Sequence, residues 1–186
     1  MTPERRLLVL SLFLAPARGH ALRPHEFRAR TGIEQPREWA LHELQEAIDR
    51  QNSDDAEIAF IVGSTFDRDH QWAPFYQGLL LADWHHLHEE AAHALGFLGD
   101  SDAVPALVHA VHHVPAYLEY NDGRALANKA IHSLGKIPGP EAQTALHDLL
   151  RHEDPSLRAT VQRVLDRRLA HPPSAARQRV IKPLED

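Results

Sequence analysis

Fifteen histidines in 186 residues, four of them followed directly by glutamate, raise metal chemistry before any other. Imidazole and carboxylate are ordinary ligands of zinc and iron. The dipeptides are His25-Glu26, His42-Glu43, His88-Glu89 and His152-Glu153. Spacing argues against the simplest versions. In HEEAAH at 88–93 the two histidines are five positions apart, so on a helix they diverge by roughly 140°; the zinc-binding HExxH pattern needs i and i+4. His85 with Glu89, and Glu89 with His93, do have the i, i+4 spacing, but a hydrated polar helix face accounts for them without an ion. There is no cysteine, which removes disulfides and thiolate metal sites. No G-x-S-x-G, phosphate-cradling glycine loop or dinucleotide fingerprint occurs. The reading is therefore a non-enzymatic chain with no assigned metal, cofactor or catalytic residue.

Binding chemistry is better represented than catalysis. Tyr117, Tyr120, Asn121, Asp122 and Arg124 fall together in a segment longer than its counterpart further on. Fourteen residues separate Val111 from Leu126, and six separate Leu150 from Leu157. Long connections on rigid frames often carry function, and Tyr and Arg are favoured at binding hot spots. The structural alternative has Tyr117 and Leu118 plugging a helix junction and Asp122 capping the next helix. A second aromatic group, Trp72, Phe75, Tyr76 and Trp84, reads mainly as core, Phe75 and one tryptophan above all.

The elements that would position these residues are helical. Apolar residues recur at i, i+3, i+4, i+7 and period-2 strands are missing. The pattern predicts about nine helices and one short helical turn. They lie near 3–14, briefly at 25–32, at 36–51, from Ser53 or Asp54 onward, over 72–82, 84–99 and 100–111, and then over 124–137, 141–152 and 155–169. Met1–Ala21 also has the look of a secretory signal. Thr2 as N-cap, Pro3 in the first turn and Glu4 at the positive dipole end favour a structural helix and a cytoplasmic protein. Its apolar run of about nine residues is too short for a bilayer, which needs about 20, and no membrane partner is expected. Hydrophobic residues at 43% and charged residues at 25% are ordinary globular values. The formal charge of −6 disfavours nucleic acid and suits a basic protein partner.

A repeat organises the second half. AAHALGFLG at 91–99 and AIHSLGKI at 130–137 align at an offset of 39. That offset pairs His93 with His132, Leu95 with Leu134 and Gly96 with Gly135, then Ala103 with Ala142 and Leu107 with Leu146 in the following helices. One offset spanning two helices means stacked helix pairs, each unable to bury its apolar face alone. Extending the alignment puts Val62, Leu95, Leu134 and Leu165 in one column. Glu57, Glu90, Lys129 and Thr160 form another, and Phe60, His93, His132 and Arg163 a third. Glu90 is then expected beside Lys129.

EEAAHALGFLGDSDAVPALVHAV at 89–111 resembles a HEAT repeat of the bacterial type first recognised in phycobilin lyases, and EDPSLRATVQRVLDR at 153–167 resembles a degenerate copy. The resemblance implies an all-α fold, a right-handed alpha-alpha superhelix of about four helix pairs. Residues 1–35 would form an N-terminal helical cap, 36–170 the array and 171–186 a flexible tail. It also implies that second helices line the concave, partner-facing side. Deoxyhypusine hydroxylase, a di-iron enzyme, is built from such repeats, with His-Glu pairs whose glutamate lies five residues before the leucine of the L-G pair. Here that place holds Glu90 preceded by Glu89, and in the next repeat Asn128 and Lys129. The metal set therefore does not carry over, and a di-iron enzyme is only the alternative reading. A nucleic-acid-binding solenoid is a further alternative, disfavoured by the lack of a basic row in the aligned columns.

YLEYNDGRALANKAIHSLGKI at 117–137 is similar to segments of small bacterial HEAT-like proteins, some of them immunity proteins of toxin systems. That similarity implies an inhibitor of a toxin or enzyme. The expected partner-binding residues are Glu57, Glu90, Tyr117, Tyr120, Asn121, Asp122, Arg124 and Lys129.

Overall fold

The computed structural model describes residues 1–14, 23–66 and 69–173. Among them are ten α-helices, three short 3-10 helices and no strand. They fall into two compact units, the first within residues 1–68 and the second within 69–179.

The first unit holds α1 (Pro3–Leu14), α2 (Pro24–Thr31), α3 (Pro36–Arg50) and α4 (Ser53–Phe66). Thr2 caps α1, its hydroxyl accepting from the Arg5 amide at 3.3 Å. The apolar run of α1 is amphipathic rather than uniformly buried. Val9 and Leu12 are buried while Leu7 and Leu8 are exposed, and Phe13 meets Phe27 and Phe66 at centroid distances of 6.2 and 6.4 Å. Arg6 ties α1 to the start of α4 through Asp54 and Asp55, both at 2.8 Å. α3 and α4 form an antiparallel pair joined at Gln51, a left-handed residue with φ 51°. The expected Ser53 or Asp54 cap is replaced by Asn52, whose side-chain oxygen accepts from the Asp55 amide; placed one residue further out, it reaches the exposed third N–H.

The second unit contains α5 (Ala73–Leu80), α6 (His88–Leu98), α7 (Val104–His112), α8 (Arg124–Leu134), α9 (Pro140–Leu149) and α10 (Pro155–Ala170). They form three pairs, α5/α6, α7/α8 and α9/α10. First helices touch first helices (α5 with α7, α7 with α9), and second touch second (α6 with α8, α8 with α10). This is the layered packing of a HEAT-like helical repeat. The 39-residue period has a direct physical basis: Leu95, Leu134, Ala103, Ala142, Leu107 and Leu146 are all fully buried. Each glycine of the pair lets two second helices approach closely. A Cβ on Gly96 would stand 2.6 Å from the Ser133 Cα, and one on Gly135 would stand 2.5 Å from Val164 Cγ1. Both contacts obey the same rule, the touched residue lying two positions before the glycine's aligned equivalent (Gly135 and Asp166).

Arg168 locks the second unit from within. It is buried, donates to the carbonyls of Leu134, Gly135 and Ile137 at 3.1, 3.2 and 2.7 Å, and reaches the Gln143 side-chain oxygen at 2.9 Å. These carbonyls belong to the end of α8 and the turn after it, where the helical ladder stops and only the Leu134 carbonyl also accepts from a backbone amide, that of Ile137. Trp72 and Tyr76 are the buried, stacked aromatics of α5 and its approach, whereas Phe75, expected in the core, is only half-buried. The aligned columns also break at their ends: Thr160 and Phe60 are buried, while Lys129 is half-buried and Glu57, Glu90, His93, His132 and Arg163 are exposed. Of the tail expected over 171–186, residues from 174 onward lie outside the described residues, as do 67–68 of the loop after α4 and 15–22 after α1.

Candidate functional site

The expected helix over 84–99 starts late. Residues 83–86 are a bend and α6 begins at His88. The cause is His85, a fully buried imidazole whose Nε2 bonds the Leu79 carbonyl at 2.9 Å and whose Nδ1 accepts from the Leu87 amide at 3.0 Å. That side chain closes a turn where the apolar spacing alone suggests more helix. His85 is therefore not on a helix face with Glu89, and the i, i+4 ion site considered for that pair does not form. His152 plays the same local part before α10, its Nδ1 accepting from the Asp154 amide at 3.0 Å.

The connection after α7 is built on a 3-10 helix, Ala116–Asn121, which separates its residues into anchored and presented ones. Leu118 is buried. The Tyr117 hydroxyl donates to the His86 carbonyl at 3.1 Å and lies 3.2 Å from His88 Nδ1. Burial, with Glu90 and Glu89 nearby, pushes the Tyr117 phenol up to about 12, so it stays a protonated donor. Tyr117 and Leu118 thus plug the junction. Tyr120 is presented, with 81% of its surface accessible.

Asp122 does not cap α8. It takes a left-handed conformation (φ 54°) that ends the 3-10 helix, and Gly123, also left-handed at 65°, stands at the N-cap. Arg124 reaches back to Asp122 at 3.9 Å and across to Asp154 at 3.1 Å. Asp154 is itself the cap of α10 and is held below the usual carboxylate range, first by the Ser156 amide and then by Arg124. Asn121 is half-buried, with its side-chain oxygen unpartnered.

Lys129 is paired, but with Glu89 at 3.1 Å rather than with Glu90. Equal positions in two stacked helices cannot both face each other, because the helices meet through opposite sides. The touching side of α6 carries Glu89 and Gly96, seven apart, and that of α8 carries Lys129 and Ser133, four apart. Glu90, one step round from Glu89, is exposed near Tyr117. Tyr120, Glu119, Asp122, Glu90 and the Arg124–Asp154 pair therefore give the second unit an acidic edge with an exposed aromatic. Glu57 is exposed on α4 of the first unit.

A cluster of histidines lies beside this edge and is absent from the sequence reading. His88, at the first turn of α6, is completely buried. Its ring stacks on His85 at 4.5 Å and lies 5.7 Å from that of His113. His113 Nε2 sits 2.8 Å from an Asp83 carboxylate oxygen. One ligand atom from each of Asp83, His88 and His113 falls within 4.8 Å of the others. Burial first, then His85, pulls His88 down to about 4, so the ring is neutral at pH 7. No spacing rule joins positions 83, 88 and 113, which come from a bend, a helix start and a helix end.

On α8 and α10 an open groove of about 980 Å³ is lined by Gly96, Phe97, His132, Lys136, Arg167 and His171, among others. His132, though its side chain reaches solvent, is held below its ordinary pKa by partial desolvation of the ring and then by Arg167, Arg163 and Lys136. Lys136, just past the end of α8, and Arg167 on α10 come from different alignment columns, so the groove brings two cations together without forming a basic row across the second helices.

No helix among the described residues is long and apolar enough to cross a membrane. No curated protein and no solved structure gave a significant match to the chain. Residues 87–113 match the family model described as PBS lyase HEAT-like repeat. That stretch runs through α6 and α7 and carries the Leu95–Gly96 and Ala103–Leu107 anchors that recur 39 positions on; with the layered pairs of the second unit, it supports a HEAT-like helical repeat fold there.

Proposed function

We propose that the chain is a non-enzymatic protein-binding module whose partner contacts the acidic edge around Tyr120 and the exposed sides of the second helices. The carrying observation is the contrast within one 3-10 turn: Tyr117 and Leu118 are anchored, while Tyr120 three residues on is 81% exposed. An exposed tyrosine on an anchored turn, four residues before an arginine, suits a hot spot, since little backbone entropy remains to be lost. Glu57, exposed on α4 of the first unit, is a separate proposed contact.

Glu119, Asp122 and Glu90 at this edge, and the net charge of −6, suit a basic partner. The more specific version is a cytoplasmic, immunity-type inhibitor of a bacterial toxin or enzyme. Its test is titration calorimetry of the captured partner against the wild type and Tyr120→Ala/Arg124→Ala. The double variant is expected to lose about 2 kcal/mol or more of binding, roughly 30-fold. Its melting temperature should move little, because the pairs lost, Arg124 with Asp154 and with Asp122, are exposed ones that add little to stability. Loss of folding instead would make the segment a structural plug. For a basic partner, association should also slow as salt rises.

A second reading has one observation in its favour. The groove carrying Lys136 and Arg167 offers positive charge to a nucleic acid. Salt-dependent binding to duplex DNA, lost in Lys136→Glu/Arg167→Glu, would support it over the first.

A further inference from the structure

We propose that Asp83, His88 and His113 form a binding site for one late first-row divalent cation, Zn²⁺ in the first instance. The proposal does not depend on the protein-binding reading. It starts from an unbalanced hydrogen-bond account at His88. The Tyr117 hydroxyl spends its proton on the His86 carbonyl. The 3.2 Å contact between Tyr117 oxygen and His88 Nδ1 then requires Nδ1 to carry the ring proton and donate. In that neutral tautomer Nε2 holds a lone pair. Nε2 is buried, on a ring with no accessible surface, and makes no hydrogen bond of normal geometry, although the Ala82 carbonyl lies close to the ring. A buried acceptor left unpaired is destabilising, and a cation is a partner that removes that cost.

The surroundings supply the remaining ligands. His113 and Asp83 lie next to His88, with all three ligand atoms within 4.8 Å of one another. Bonds of about 2.0–2.1 Å to zinc place tetrahedral ligand atoms about 3.3 Å apart. The required adjustment is an ångström-scale contraction at the widest pair and a small spreading of the 2.8 Å His113–Asp83 contact. Asp83 can make it, since its side chain is 74% exposed and sits in a bend. Two imidazoles and one carboxylate select zinc or its neighbours over Mg²⁺ and Ca²⁺, which prefer oxygen ligands. The chain Nδ1–H to Tyr117 to the His86 carbonyl is the outer-shell support that fixes a ligand histidine's tautomer and orientation. His85, stacked on the ring at 4.5 Å, closes the inner side of the site.

The three residues come from the bend before α6, its first turn and the end of α7. A bound ion would therefore fasten two successive helix pairs at the base of the segment that presents Tyr120. The set differs from the His-Glu pairs of the repeat: Glu89 is turned to Lys129 and takes no part.

The test uses untagged full-length protein stripped with chelator, titrated with ZnCl₂ and separately with CoCl₂. The expected results are one equivalent of Zn²⁺ bound, a raised melting temperature, and visible absorption from a four- or five-coordinate Co²⁺ complex. Asp83→Asn and His113→Gln change accessible side chains and should leave the helical circular dichroism intact; each should weaken binding at least tenfold and remove the Co²⁺ bands. Tyr117→Phe, which leaves Nδ1 without its acceptor, should weaken binding by a factor of 10–100. His93→Gln, outside the site, should change neither. Absence of stoichiometric binding by the wild type would overturn the proposal. So would binding that survives both Asp83→Asn and His113→Gln, since the ion would then sit on other histidines.

Discussion

Tyr117 and Tyr120 are three residues apart and have opposite roles. Tyr117 is held through its hydroxyl to the His86 carbonyl, and Tyr120 meets solvent. Composition does not separate them, because the difference lies in contacts reaching back about thirty residues to the bend before α6. Replacing Tyr117 with phenylalanine removes the hydroxyl's bonds to the His86 carbonyl and His88 Nδ1, each contributing about 0.5–1.5 kcal/mol, and should lower thermal stability accordingly, whereas Tyr120→Phe should leave the melting temperature unchanged.

His132 gives a second residue-scale prediction. Its pKa is depressed by partial desolvation of the ring and by Arg167, Arg163 and Lys136, so between its folded value and the usual 6.5 the unfolded chain binds more protons. The stability it contributes is complete above pH 6.5 and is lost as pH falls through the folded-state value. Thermal melts of the wild type should therefore fall more steeply than those of His132→Gln on going from pH 7 to 5. Parallel curves would show that the three cations do not act on this ring.

At the scale of the helix, the 39-residue period was legible because it is set by packing. Its leucine and alanine positions are the buried ones, and its glycines are the points where second helices approach too closely for a side chain. Which residues face each other across that contact was not legible. An alignment assigns equal positions, whereas stacked helices meet through opposite sides, so Glu89 and not Glu90 meets Lys129. The bend at 83–86 was hidden for a different reason: the turn is closed by the His85 side chain, which reads on a helical wheel as one more polar residue.

The close approach has a measurable consequence. Gly96→Ala forces a Cβ against Ser133, backbone included, and should destabilise by about 1–3 kcal/mol in urea unfolding. Gly78→Ala, where a Cβ would meet nothing within 4 Å, should stabilise α5 by up to about 1 kcal/mol. Arg168→Met keeps much of the apolar packing and strips the donors from the carbonyls of Leu134, Gly135 and Ile137. A loss of about 2–3 kcal/mol is expected, the scale of hydrogen bonds to a charged group.

For the whole molecule, HEAT-like repeats supply a frame, and the functional content lies in what is mounted on it. Here an acidic edge with an exposed tyrosine, a buried histidine cluster beneath it and a basic groove on α8 and α10 all belong to the second unit. The first unit contributes its own core around Phe13, Phe27 and Phe66. The central claim, that the Tyr120 edge is where a protein partner binds, is tested most directly by photocrosslinking in living cells. A photoreactive phenylalanine analogue would be placed in turn at Tyr120, at Glu90 and at the exposed Thr144 of first helix α9. The account predicts one discrete adduct of the same mass increment from positions 120 and 90, and none from 144. Adducts from position 144 alone, or the same pattern from all three, would contradict it.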